Sequence, residues 1–193
     1  MEEQTQYNSE ATKRLLAAKT AGEVKKALRD GANPNAMDEE GNTALMHLWH
    51  NPIAVQLLIS AGTALDIRNA DGMTALMLAC QGGEAESAKL LIEAGADMNV
   101  RDNEFGMTAL MLACTELPSF AYTEKVIRGQ SECVKLLLNA GADPTIKDNK
   151  GKMAVDYAKD WSKHLIEKEM KNQGFFSRQK NTQLRGRSGN SRQ

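Results

Sequence analysis

Asp71-Gly-Met-Thr-Ala-Leu-Met-Leu-Ala-Cys-Gln-Gly-Gly-Glu-Ala-Glu-Ser-Ala-Lys-Leu-Leu-Ile-Glu-Ala-Gly-Ala-Asp-Met-Asn99 decides the fold, because the chain on either side reads as imperfect copies of it. Thr43-Ala-Leu-Met46, Thr74-Ala-Leu-Met77 and Thr108-Ala-Leu-Met111 align at steps of 31 and 34 residues, each with a glycine two residues earlier (Gly41, Gly72, Gly106). A second marker closes each unit: Ala61-Gly62, Ala94-Gly-Ala-Asp97 and Ala140-Gly-Ala-Asp143, with Asp30-Gly-Ala-Asn33 as an earlier relative. Repetition at a period near 33 points to a stacked array and takes precedence over any segment read alone.

Within the central unit, Leu76, Ala79 and Cys80 share one helical face, and Ser87, Ala88, Leu91 and Ile92 share another. Two short helices follow from this. Helices of that length are marginal in water, so neighbouring units must cover their apolar stripes. Gly95 stands just past the second helix, where a left-handed residue ends helices cheaply. The polar run from Asp97 to Gly106 then goes out and back as a hairpin finger.

The succession Gly-x-Thr-Ala-Leu, an apolar helix, then Lys89-Leu-Leu-Ile-Glu-Ala-Gly-Ala-Asp-Met-Asn99 resembles the ankyrin repeat, over roughly Thr12 to Gln173. The resemblance implies an all-α solenoid of helix-turn-helix units with hairpin fingers. Its expected parts are an N-terminal cap at 11–37, repeats at about 38–68, 69–101 and 102–147, and a C-terminal cap at 148–174. A flexible stretch at 1–10 precedes them and a basic, disordered tail at 175–193 follows. Two departures stand out. Alanine replaces the family's proline after each threonine, and Met46, Met77 and Met111 replace its histidine, which puts any hydrogen bonding by that histidine in doubt.

The flanking units depart from the central one in other ways. Pro52 is placed to open a second helix, where a missing N–H costs nothing. Trp49 takes the place of the small Cys80, so it must rearrange the packing or point outward. The third unit carries a twelve-residue insertion, roughly Glu116–Ile127, ahead of a helix expected near Ser131. Inserted loops of that length in compact arrays tend to be functional or disordered.

The formal charge of −1 conceals an uneven distribution, since Arg178, Lys180, Arg185, Arg187 and Arg192 lie in a tail without acids and leave residues 1–174 at about −6. The start of the chain lacks the pattern of a signal peptide, and no apolar run reaches membrane-spanning length. Three cysteines, Cys80, Cys114 and Cys133, fall at helical core positions and read as reduced thiols of a cytoplasmic, monomeric protein.

No phosphate loop, paired-cysteine metal pattern or nucleophile elbow is present, so no cofactor, metal or catalytic residue is expected. His47 and His50 could share a face, but zinc needs further ligands. The different-class reading, an enzyme, would need a polar group converging in the groove, such as His50 with Glu39 or Asp71.

The family resemblance implies binding through the fingertips and the adjoining first helices. Here the first finger offers Asp38, Glu39, Glu40 and Asn42, and the second Arg68, Asp71 and Met73. Arg101, Asn103, Glu104, Phe105 and Met107 form the third, and Lys147, Asn149, Lys150 and Lys152 the fourth. Trp49, His50 and Gln81 are added from the first helices. The sign runs from acidic to basic, which either orients a partner or reflects ordinary solvated tips. Phe105 is the sharper candidate, because an aromatic there serves binding better than solubility. Phe120 and Tyr122 of the insertion either contact a partner or cover a core edge.

The function expected is that of a noncatalytic interaction module, an adaptor, scaffold or stoichiometric inhibitor of a protein partner. A bacterial effector aimed at host proteins is the alternative. Nucleic acid or anionic lipid enters only through the basic tail.

Overall fold

The computed structural model describes residues 7–115 and 123–172, with the side chain of Trp161 left aside. Phe120, Tyr122 and the tail 175–193 lie outside the described residues. Ten helices are present among those described: α1 (Ser9–Leu16), α2 (Ala21–Arg29), α3 (Ala44–His47), α4 (Pro52–Ser60), α5 (Ala75–Gln81), α6 (Ala85–Glu93), α7 (Ala109–Cys114), α8 (Glu124–Asn139), α9 (Ala154–Tyr157) and α10 (Asp160–Asn172). Consecutive helices pair, the first helices α1, α3, α5, α7 and α9 stack in one layer, and the second helices α2, α4, α6, α8 and α10 stack in another. The result is a helical solenoid without strands among the described residues; one isolated bridge joins Met37 and Thr43.

Each first helix begins at the recurring threonine. Thr43, Thr74 and Thr108 turn their hydroxyls to accept the N–H groups of Met46, Met77 and Met111 at 3.3, 3.3 and 3.5 Å. The methionine side chains at those positions are buried, so the place of the family's histidine is taken by core packing. Asn51 caps α4 through Ala54 N at 3.2 Å, and Pro52 is its first residue. Gly95 has φ 93°, the left-handed closure expected after α6.

The buried residues run continuously between the layers. Leu45, Leu76, Met77, Leu91, Leu110, Met111 and Leu137 are all at most 1% exposed, so each unit depends on its neighbours for its core. Cys80, Cys114 and Cys133 are buried free thiols. Contact with the Cys133 thiol and burial hold the Cys80 thiol well above its ordinary range, and burial pushes Cys114 up to about 12. Thiols so disfavoured as thiolates are inert packing groups.

Two irregular units are fitted together by glycines. The first helix α3 ends after one turn, and the Trp49 ring lies on Gly82 at the end of α5, where any Cβ would overlap it. The packing has therefore been rearranged, leaving Trp49 half-buried. The helix expected near Ser131 starts at Glu124, because Thr123 caps it through Val126 N at 3.3 Å. This early part of α8 crosses the α5–α6 turn, where a Cβ on Gly129 would overlap the Gly83 carbonyl oxygen. Buried Gln130 ties the crossing down by donating to the carbonyls of Gln81 at 2.9 Å and Thr115 at 3.2 Å. Lys125 pairs with Glu84 at 3.2 Å on the same crossing. The early part of α8 thus braces the α5–α6 turn.

Gly129→Ala reverses the usual sign of a helical substitution. An open helix would gain up to about 1 kcal/mol, whereas overlap with a fixed carbonyl should cost about 1–3 kcal/mol in urea unfolding. Ser87→Ala should do the opposite, since the Ser87 hydroxyl is buried and has no hydrogen-bond partner among the described residues. Removing it should leave stability unchanged or raise it by up to about 1 kcal/mol in the same assay.

Candidate functional site

Each finger is a loop whose backbone N–H groups would be left unpaired without help, and one side chain at its root supplies that help. Asp38 Oδ1 accepts from Glu40 N at 3.0 Å and Asn42 N at 2.8 Å. Asn69 Oδ1 does the same for Asp71 N and Met73 N, at 3.1 and 2.9 Å. Asp102 accepts from Phe105 N, Gly106 N and Met107 N at 2.7, 3.1 and 3.0 Å, accommodating the extra residue of the third finger. Asp148 accepts from Lys150 N and Lys152 N, both at 2.8 Å. The signal was present in the sequence as an Asp or Asn three or four residues before each finger glycine.

The fingers are also bonded to one another. Ala70 N donates to Glu40 O at 3.0 Å, Asn103 N to Asp71 O at 2.8 Å, and Asn149 N to Phe105 O at 2.8 Å. Side chains repeat the pattern. Asn69 Nδ2 donates to Asn42 Oδ1 at 2.9 Å, Asn103 Nδ2 to Ala70 O at 3.0 Å, and Asn149 Nδ2 to Glu104 O at 3.1 Å. Arg68 holds Arg101 O at 2.9 Å and Asn103 Oδ1 at 2.6 Å, while Arg101 holds Asn149 Oδ1 at 2.8 Å. Both guanidinium groups pass where a side chain on Gly72 or Gly106 would stand.

The candidate residues consequently fall into distinct groups. Asn42, Arg68, Arg101 and Asn103 are members of the inter-finger network. Glu39, Glu40, Asp71, Glu104, Phe105, Lys147, Lys150 and Lys152 are exposed along the fingers. Met73 is half-buried and Met107 is buried beneath its finger. Trp49 and His50 lie just past the end of α3, and Gln81 is the last residue of α5. Phe105 is 42% exposed at the third fingertip, with Lys150 Nζ 5.5 Å from its ring centre.

The histidines have local partners. His47 Nε2 lies 2.7 Å from Asp38 Oδ2, linking finger to helix, and His50 meets the Trp49 ring edge-on at 5.6 Å between centres. An open depression beside them is lined by Leu16, Ala17, Lys19 and Leu48 as well. Among the described residues no group of three or more His, Cys, Asp or Glu side chains is placed to hold a metal ion. The fourth finger differs chemically from the others. The Tyr157 hydroxyl donates to Asp148, which draws that carboxyl below its ordinary range and pushes Tyr157 up to about 12.

A lowered carboxyl contributes stability that is complete above its unfolded value, about 3.9, and is lost as pH falls through the lower folded value. Asp148→Asn should therefore unfold at lower urea at pH 7 and lose less on acidification to pH 2.5 than the parent chain.

The comparisons with known proteins agree with this architecture. A family profile described as "Ankyrin repeats (3 copies)" matches residues 7–102, 48–148 and 88–173. Ankyrin repeat domain-containing protein SAT10 of Stachybotrys chartarum is 43% identical over 75 residues, covering 38% of this chain and 4% of that protein. The B-cell lymphoma 3 protein homolog of Mus musculus is 39% identical over 83 residues, covering 39% of this chain and 18% of that protein. Ankyrin repeat domain-containing protein 63 of Homo sapiens is 36% identical over 103 residues, covering 48% of this chain and 27% of that protein. The chain spans a minor part of the length of each. No helix among the described residues is long and apolar enough to cross a membrane.

Proposed function

The chain belongs to the ankyrin repeat family, whose repeats are protein–protein interaction modules, and on that premise we propose that it acts as a noncatalytic adaptor, scaffold or stoichiometric inhibitor. The partner lies along the fingertip row. The observation that carries this reading is Phe105, a large apolar side chain 42% exposed on a finger whose backbone is fastened from both sides. A rigid support matters, because an aromatic anchor that is already ordered loses little entropy on binding. Three buried free thiols support a place in a reducing compartment such as the cytoplasm. The absence of catalysis rests on the family's general behaviour and on a finger row whose polar groups are used for structure.

Affinity capture with the intact chain beside Phe105→Ala, followed by identification of the proteins lost, tests the reading. A partner isolated this way should bind the variant weaker by about 2 kcal/mol or more, roughly 30-fold. The variant's urea midpoint should move by no more than about 1 kcal/mol, the scale of the Lys150 contact. Equal affinity of the folded variant would exclude a fingertip anchor.

A further inference from the structure

We propose that the fingertip row recognises a charge-asymmetric, extended peptide segment of a protein partner: cationic over the first finger, apolar at Phe105, and anionic over the fourth finger. This rests on the fingertip reading above and names the chemistry of its occupant.

The charges that remain exposed are segregated. Glu39 and Glu40 are exposed on the first finger, Glu40 Oε2 accepting from Asn42 Nδ2 at 3.2 Å, and Asp38 beside them is engaged by His47 and its own turn. Lys147, Lys150 and Lys152 are exposed on the fourth. Between them the signs cancel locally, Arg68 with Asp71 on the second finger and Arg101 with Glu104 on the third. The acids at the finger bases are engaged already: Asp66 Oδ1 accepts from Asp97 N of the next unit at 2.9 Å, and Asp97 and Asp143 accept from Asn99 N and Thr145 N within their own turns.

The two ends act as separate sites. Adjacent packed helices stand about 8–10 Å apart, so three steps separate the outer fingers by roughly 24–30 Å. That is well beyond the screening length of about 8 Å at physiological salt. Each end of an occupant is therefore read by the finger beneath it. An extended segment rising about 3.3 Å per residue spans the row in roughly eight or nine residues. A uniformly anionic occupant, whether nucleic acid or a lipid surface, would be repelled at Glu39 and Glu40, and a uniformly cationic one at the three lysines.

The test is selection of a random twelve-residue displayed peptide library on the full chain, with photo-crosslinking to locate each selected peptide. Peptides with Lys or Arg at one end and Asp or Glu at the other are expected, in either chain direction, with the cationic end crosslinked to the first finger. In Glu39→Lys/Glu40→Lys both ends of the row become basic. That variant should bind those peptides at least about tenfold more weakly and select peptides acidic at both ends, with a cooperative urea transition retained. Peptides that crosslink to the fingers without charge asymmetry, or that ignore the double substitution, overturn this proposal and leave the fingertip reading standing. Selection of uniformly charged peptides overturns it as well. Peptides that crosslink to the second-helix layer, or a library yielding no binders, overturn both.

Discussion

The fingers depend on one requirement: every backbone N–H in a short exposed loop must find an acceptor that survives without a helix or sheet around it. A carboxylate or carboxamide at each root supplies most of it, through Asp38, Asn69, Asp102 and Asp148. Neighbouring fingers supply the rest, each donating a backbone N–H to the carbonyl of the one before. The loops thereby become a continuous edge. An edge of this kind propagates position: the tip of the third finger is set by the second and fourth as well as by its own sequence.

That edge changes how the polar residues are to be understood. Arg68, Arg101, Asn103 and Asn149 have the chemistry of recognition residues, yet each has donors committed to carbonyls or carboxamides of adjacent fingers. Groups already bonded gain little from a partner unless they exchange one bond for another. The residues left exposed along the edge are Glu39, Glu40, Phe105 and the lysines of the fourth finger. Lys150 sits over the Phe105 ring and Lys152 over the Tyr157 ring, at 5.5 and 5.3 Å, so even these cations are partly oriented.

The helical layers solve a different problem, fitting unequal units into one stack. Trp49 is far larger than its counterpart Cys80, and the room comes from Gly82 in the following unit. The lengthened α8 reaches back over the preceding turn, and there Gly83 and Gly129 allow backbone to meet backbone. Both fits pair an enlarged element with a glycine in the neighbouring unit.

The architecture was legible because its signals are local: a threonine that caps its own helix, a glycine that must turn left-handed, and apolar residues at helical spacing. The exposure of Phe105 was legible too, as an aromatic in an otherwise polar finger. Other features could be read only in space. That Trp49 lies on Gly82, that Arg68 bonds to Asn103, and that Gln130 reaches the Gln81 carbonyl all depend on residues from different units. The sequence by itself determined the repeat and its helices, since each residue's conformational preference acts within a few positions. The tertiary structure alone decided which polar groups are consumed and which stay free, because a hydrogen bond between fingers is made only once the units have stacked.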